Sequence, residues 1–204
     1  MGRRERRKEH TRRALLEAAL ALFSERGVHA TRLEDVTERA DLGKGAFYNY
    51  FDSKDALVAA IVGEGADLLD RKYLASVAGG LAERVSAVVA GHQAFFRDHR
   101  EYVILFHQAR GLLKVRTDGA ASVRLVFRRY LEIIGNALLP ADGAPGTTQA
   151  DRSDIAALVV GAISGYLSFC MAAGLEPDLR TVELALADGV PRALASRLGA
   201  ASRG

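Results

Sequence analysis

Between residues 12 and 198 apolar side chains return every three or four positions, and no paired runs of apolar–polar alternation occur. That period matches the α-helical turn and conflicts with the two-residue repeat of a strand, so the chain is expected to fold as packed helices. In 12–26, Leu15, Ala18, Ala19, Leu22 and Phe23 trace one face, and Gly27 ends the run as a helix C-cap would. Thr31, with Glu34 three residues later, reads as a capping box for a short second helix carrying Leu33, Val36 and Ala40. A turn at Asp41-Leu42-Gly43 leads into a third helix over 44–50. Asp52 or Ser53 caps a fourth, which runs from Lys54 towards residue 78. Longer helices follow over 81–99, 101–114, 118–139, 151–173 and 179–198, with a kink or restart expected at 187–191 because Pro191 removes an N–H. The stretch YVILF (102–106) has strand composition but no partner strand, so helix is preferred. The segment 140–151, PADGAPGTTQAD, is read as a loop. The expected fold is all-α with about nine helices. An N-terminal arm and three-helix domain cover 1–53, and a larger helical body covers 54–204.

Composition narrows the function. With 49% hydrophobic residues the chain can bury a sizeable core, and a single cysteine, Cys170, fits a reducing cytoplasm. No secretory signal is recognised, and no run is read as the roughly 18 apolar residues of a membrane span. Residues 155–174, IAALVVGAISGYLSFCMAAG, are expected to form a helix buried on both sides, and no membrane is expected as a partner. Net charge is only +3, but the first thirteen residues hold six Arg and one Lys against two Glu. Such an arm can hug a polyanion, or serve solubility alone. There is no Gly-rich phosphate loop, nucleophile motif or metal-ligand cluster, and His92, His99 and His107 have no carboxylate pattern around them. No enzyme activity, cofactor or metal site is expected.

The stretch DLGKGAFYNYFDSK (41–54) crowds Phe47, Tyr48, Tyr50 and Phe51 into five positions. A core helix spaces its aromatics three or four apart, so some of these should be exposed to something outside the chain. Two short helices joined by a tight turn behind a longer helix make a helix-turn-helix, whose second helix enters the DNA major groove. In that geometry Leu42 and Phe47 face inward, and Phe51, like Phe47, is read as core rather than contact. Lys44, Gly45, Ala46 and Asn49 face outward, the small residues allowing close approach to base edges. Asn49 can donate and accept at once, as adenine recognition requires, and Lys44 can reach guanine or phosphate. Tyr48 and Tyr50 offer hydroxyls to phosphates, and Lys54 adds charge at a helix N-terminus.

The span GVHATRLEDVTERADLGKGAFYNYFDSKDAL (27–57) resembles the DNA-binding signature of the tetracycline-repressor (TetR) family, through Gly27, Thr31, Asp35, Val36, Ala40, Leu42, Lys44, Gly45, Phe47, Tyr48, Tyr50, Phe51, Ser53, Lys54 and Leu57. The resemblance implies a homodimer, DNA binding by the first three helices and a larger ligand-sensing domain. This sequence departs from the family at Arg32, where a charge beside Thr31 can reach the DNA backbone or the minor groove, and at Thr37, Asp41 and Gly43; Thr31 and Arg32 are both expected to contact DNA. Asp41 stands at the turn, which Asp tolerates because it visits left-handed conformations more readily than most residues.

Two faces of the body follow. Ala157, Gly161, Ser164, Ser168 and Ala172 form a stripe of small side chains suited to close approach by another helix, opposite Ile155, Leu158, Ala162, Tyr166 and Phe169, which are expected in the chain's own core. Val182, Leu186, Gly189 and Ala193 repeat the theme, and the resemblance implies that the two helices build a dimer interface. Phe95, Phe96, His99, Phe106, His107, Arg110, Phe127, Tyr130, Tyr166 and Phe169 set aromatic and polar groups on otherwise apolar faces, as a cavity for a small organic effector with anionic or aromatic groups needs. The expected function is a cytoplasmic repressor that binds a palindromic double-stranded DNA operator as a dimer and is released by its effector. The alternative is a ligand-independent activator or architectural DNA-binding protein.

Overall fold

The computed structural model describes residues 2–112, 119–140 and 146–201. It contains α1 (Arg3–Arg26), α2 (Leu33–Arg39), α3 (Lys54–Leu68), α4 (Leu81–Asp98), α5 (Arg100–Leu112), α6 (Gly119–Leu138), α7 (Gln149–Ala173) and α8 (Arg180–Ala201). A 3₁₀ helix (Lys44–Asn49) lies between α2 and α3, and a π-helical turn (Leu69–Leu74) closes α3. No strand occurs among the described residues, so the fold is all-α as expected.

Local differences have local causes. The basic arm is not a tail but the first turns of α1, because its Arg, Lys and Glu are good helix formers and the Gly2 N–H is capped by Glu5 Oε2 at 2.7 Å. The capping box of α2 is shifted by one residue: the Arg32 N–H donates to Asp35 Oδ2 at 3.0 Å, while the Thr31 hydroxyl turns inward to the Gly27 carbonyl at 2.8 Å. The helix expected to run to residue 78 leaves α-geometry at Leu69. α8 continues through Pro191 without a break, and Arg192 Nε donates to the Asp188 carbonyl at 3.2 Å. Of the expected loop at 140–151, residues 141–145 lie outside the described residues, as do the helix ends placed at 113–114 and 118.

The chain divides into two compact units. One comprises 1–65 and 99–127, the other 66–98 and 128–204, so the expected boundary at residue 53 falls inside the first unit. In that unit Leu15, Ala19 and Phe23 of α1, Val36 of α2, Phe47 of the 3₁₀ helix, Leu57, Val58, Ile61 and Val62 of α3, and Leu105 and Ala109 of α5 are buried. The first turns of α3 are therefore core to the N-terminal helices rather than to the body. Gly65 admits the ring of Tyr102, since a Cβ there would sit 2.4 Å from Tyr102 Cε1. Burial pushes the Tyr102 phenol up to about 12.

In the second unit α4 packs on α7, α8 and the π-helical turn. Gly91 permits the last of these contacts, because a Cβ would lie 2.8 Å from Leu74 Cδ2 and 3.0 Å from the Tyr73 carbonyl oxygen. The Tyr73 hydroxyl donates to Asp98 Oδ2 at 2.8 Å. Thr148 caps α7 reciprocally: its N–H and hydroxyl donate to Asp151 Oδ2 at 2.8 and 2.7 Å, and its hydroxyl oxygen accepts from the Asp151 N–H at 3.2 Å. These bonds hold the Asp151 carboxyl below its ordinary range, and Arg197 of α8 reaches Asp151 at 3.1 Å and Asp154 at 2.7 Å.

His92 of α4 is wholly buried. Its Nδ1 lies 2.7 Å from the Val88 carbonyl and its Nε2 2.6 Å from the Tyr130 hydroxyl of α6. A carbonyl can only accept, so Nδ1 carries the proton and Tyr130 donates to Nε2. Burial lowers the pKa of His92 from 6.5 to about 4. The unfolded chain therefore takes up a proton that the native state refuses. Stability is expected to be complete above pH 6.5 and to fall as pH drops from 6.5 towards about 4, by an amount on the order of 3 kcal/mol. Urea unfolding at stepped pH checks this, and the double variant His92→Leu/Tyr130→Phe should lose that part of the slope.

Candidate nucleic-acid interface

The loop 27–31 between α1 and α2 is held from three directions. The Val28 N–H donates to Gln108 Oε1 of α5 at 2.7 Å. The Thr31 hydroxyl donates to the Gly27 carbonyl. Lys54, at the start of α3, places its Nζ 3.0 Å from the Val28 carbonyl and 3.2 Å from that of Thr31. Val28 and Thr31 are buried, so these carbonyls need an internal donor. α2 leaves this clamp and ends at the turn, where Asp41 takes the left-handed φ of 54° and the Leu42 N–H returns to the Thr37 carbonyl at 2.8 Å.

The turn feeds the 3₁₀ helix Lys44–Asn49. With three residues per turn, positions three apart stand in one column. Lys44, Phe47 and Tyr50 make one column, Gly45 and Tyr48 a second, Ala46 and Asn49 a third. Phe47 is buried, with Phe51 tilted beside it at 5.7 Å and the exposed Tyr48 edge-on at 5.3 Å. The aromatic crowding thus has a division of labour: Phe47 and Phe51 anchor, and Tyr48, 65% exposed, projects. Gly45 and Asn49 are exposed, while Ala46 and Tyr50 are half-buried. A Cβ on Gly45 would meet nothing of this chain within 4 Å, so packing does not demand glycine there. The side chain of Lys44 lies outside the described residues.

Two expected contacts are redirected. Thr31 is buried with its hydroxyl bonded inward, and the Lys54 ammonium is spent on backbone carbonyls, so neither is free to hold a phosphate. Arg32 is exposed beside them. Sequence reasoning missed Gln108, whose only signal is a polar side chain amid the apolar faces of α5.

The residues expected around an effector divide between the units. In the first, buried Phe106 meets Tyr102 at 6.2 Å and Phe127 at 6.5 Å, both edge-on. His99 and Arg110 are half-buried, but His107 is exposed, one helical step off the buried face of Tyr102, Leu105, Phe106 and Ala109. In the second, buried Phe95 meets Tyr73 at 5.6 Å and Phe96 at 5.2 Å, and Tyr130 holds His92. The Tyr166 oxygen accepts from the Asp178 N–H at 3.3 Å. Phe169 is 78% exposed and lines no interior.

α7 turns a third face inward. Ile155, Ala156, Val159, Ile163, Leu167 and Cys170 are buried, while Leu158 and Phe169, expected in the core, are exposed with Ala157, Gly161 and Ala172. A helix apolar all round gives no moment to choose its inner face. Ser164 and Ser168 return their hydroxyls to the carbonyls of Gly161 and Ser164, at 3.4 and 2.6 Å, which leaves that flank largely apolar. On α8, Gly189, Ala193 and Leu184 are exposed and Val182 is half-buried, but Leu186 belongs to the chain's own core. α7 is also long and apolar enough by composition to cross a membrane, with a mean hydropathy of 2.0 and a third of that stretch buried.

Residues 15–61 match the family described as bacterial regulatory proteins, tetR family. The chain is 30% identical over 168 residues to the HTH-type transcriptional regulator RutR of Escherichia coli (strain K12), covering 82% of this chain and 69% of that one. The chain belongs to the TetR family. A second TetR-family relative, the HTH-type transcriptional repressor KstR2 of Rhodococcus jostii (strain RHA1), is 33% identical over 109 residues, 52% of this chain, and the chain spans about half of its length, 53%. Among solved structures, that of the transcriptional regulator FadR from Bacillus subtilis in complex with stearoyl-CoA superposes with a TM-score of 0.67 at 14% identity, over 86% of this chain and 95% of that one, a likeness of fold. These relatives are named as regulators, and none is named as an enzyme.

The TetR-family match contains Lys54 and the loop it holds, the turn and the 3₁₀ helix, but not Gln108, and it begins after the basic first turns of α1. The clamp generates an expectation. Lys54→Ala should cost about 1–3 kcal/mol of stability by stranding two carbonyls, with the salt dependence of DNA binding per bound molecule unchanged. Chemical denaturation and binding titrations at several salt concentrations check both halves.

Proposed function

We propose that the protein is a transcriptional repressor that binds an inverted-repeat DNA operator as a homodimer and leaves it when a small organic effector binds. One observation carries the DNA reading: Gly45, Tyr48 and Asn49 are exposed on a 3₁₀ helix fixed from beneath by buried Phe47 and Phe51. Asn49 reads a base edge, Gly45 and Ala46 keep the backbone close to the groove, and Tyr48, Tyr50, Arg32 and Lys44 hold the phosphates. Family membership supports this role, and a cytoplasmic location goes with it.

The dimer forms on the outer face of α7 and α8, where Leu158, Phe169 and Leu184 are exposed beside Gly161 and Gly189. Solvent-exposed apolar residues on two adjacent helices favour a protein partner, and the twofold pairing of identical faces presents two recognition helices to two half-sites. The partner, not a membrane, covers α7. The effector is held by aromatic and polar groups of the first unit, with Phe106 and Phe127 as apolar wall and His99 and Arg110 as polar partners. FadR holds stearoyl-CoA in its structure, so acyl-CoA thioesters belong in the first panel of candidates. Coupling needs only that the effector prefer the state that does not bind DNA. α3 supplies the route, since any shift of its start moves Lys54 and with it the carbonyls of Val28 and Thr31.

Two outcomes are expected. On a DNA site selected from a random pool, Asn49→Ala should cost about 1–3 kcal/mol and relax base preference at its contact; unchanged affinity and preference would place the reading side chain elsewhere. A Cβ on Gly161, which is exposed, would meet nothing of its own chain within 4 Å, so Gly161→Leu should leave the subunit folded. Overpacking at a shared face typically costs about 1–3 kcal/mol per site, and the variant should sediment towards monomer and lose most operator affinity together. A variant that stays dimeric and binds normally would move the interface.

A further inference from the structure

The basic arm raises a separate question, because a helix cannot redistribute its charges as a tail can. α1 begins at Arg3 and is continuous with the anchored stretch from Leu15 onward. At 1.5 Å per residue the stretch before Leu15 adds roughly 18 Å to α1 along its axis. Arg3, Arg6, Arg7 and His10 fall within an arc of about 100° on this helix. Arg6, Arg7, His10 and Thr11 line an open groove of about 510 Å³ together with Ala40 and Leu42, the end of α2 and the turn before the 3₁₀ helix. On the other side Glu5, Lys8, Glu9 and Arg12 line a groove with Tyr50, where acid and base cancel. Arg12 is further engaged, paired with Glu64 at 3.1 Å and lying 5.6 Å over the Phe51 ring. Among the described ion pairs of α1 are those of Arg12, Arg13 and Arg26, and none involves Arg3, Arg6 or Arg7.

We propose that the Arg3–Arg6–Arg7–His10 face of α1 is a second DNA-contacting surface, gripping phosphates beside the helix-turn-helix, while on the opposite face Glu5 and Glu9 offset Lys8 and Arg12 and leave no net cation for DNA. The proposal rests on the DNA-binding reading above and adds to it a rigid, one-sided contact outside the family-matched residues. Its chemistry is charge complementarity: guanidinium groups fixed on one helix face, next to the turn that positions the recognition residues, neutralise phosphates and release counterions. The acidic pair on the opposite face sets the side that DNA can take.

The test matches charge for charge. Arg6→Gln/Arg7→Gln and Arg4→Gln/Lys8→Gln each remove two cations, and both are titrated beside the unaltered full chain with the selected double-stranded site from about 50 to about 300 mM salt. These concentrations lie on the order of those over which phosphate contacts are read. Circular dichroism confirms that α1 stays helical in each. The Arg6/Arg7 pair should flatten the log–log salt slope by about two for each bound subunit and weaken low-salt binding at least tenfold. The Arg4/Lys8 pair should change the slope by less than half as much. Equal effects of the two pairs, or an unchanged slope for Arg6/Arg7, would overturn the one-sided contact while leaving the regulator reading in place. Failure of the unaltered protein to bind any double-stranded DNA would overturn both.

Discussion

The Lys54 ammonium and the two carbonyls it serves govern the geometry of the DNA-facing unit. Without that donor the loop 27–31 would carry buried acceptors with nothing to bond, and the entry angle of α2 would be free to drift. With it, the position of α2 is tied to the first turn of α3. Gln108 adds a tie to α5 from eighty residues away. The residues proposed to read DNA are therefore aimed by hydrogen bonds well away from themselves, and their own helix needs only a short apolar anchor. A six-residue 3₁₀ helix would be marginal alone. Phe47 and Phe51 hold it because the clamp has already placed the surface on which they rest.

The same economy appears in the second unit, where close approach replaces side-chain bulk. Gly91 lets the π-helical turn meet α4 backbone to backbone. His92, one residue on, spends both ring nitrogens on internal partners and joins α4 to α6 through Tyr130. The Arg84 guanidinium donates to the carbonyls of Gly79 and Ala137 at 2.8 and 3.0 Å and so fixes the loop before α4 to the end of α6. The helices of this unit are thus joined by polar bonds at their ends and by apolar contact along their length.

How much of this was legible in the sequence depends on the length scale of each signal. Long helices were, because the apolar period of α4 to α6 repeats over several turns. The aromatic stretch was divided correctly into buried Phe47 and Phe51 and exposed Tyr48. Six residues are too few to tell a period of 3.0 from 3.6, so the 3₁₀ geometry was not legible. The helical arm was missed because residues 3–13 carry no apolar period, although their intrinsic propensity favours a helix. The inner face of α7 was misassigned because apolar residues surround it. Size alone split Ala157 from Leu158, whereas burial instead selects Val159, Ile163 and Leu167. The role of Lys54 was hidden for a different reason: a cation at a helix start suits an anion outside and a carbonyl inside equally well, and only the folded loop decides.

The outward face of α7 also ties the stability of the proposed homodimer to its population. Leu158, Phe169 and Leu184 stand in water in the single chain, and any surface that covers them binds the folded form and withdraws it from unfolding, by an amount that grows with the logarithm of its concentration. In the proposed homodimer that surface is a second copy, so melting temperature should climb as the protein is concentrated, and a cell that lets the copy number fall would give up folded molecules as well as occupied sites. Abundance and folding become one variable, set by a stripe of carbon on two helices.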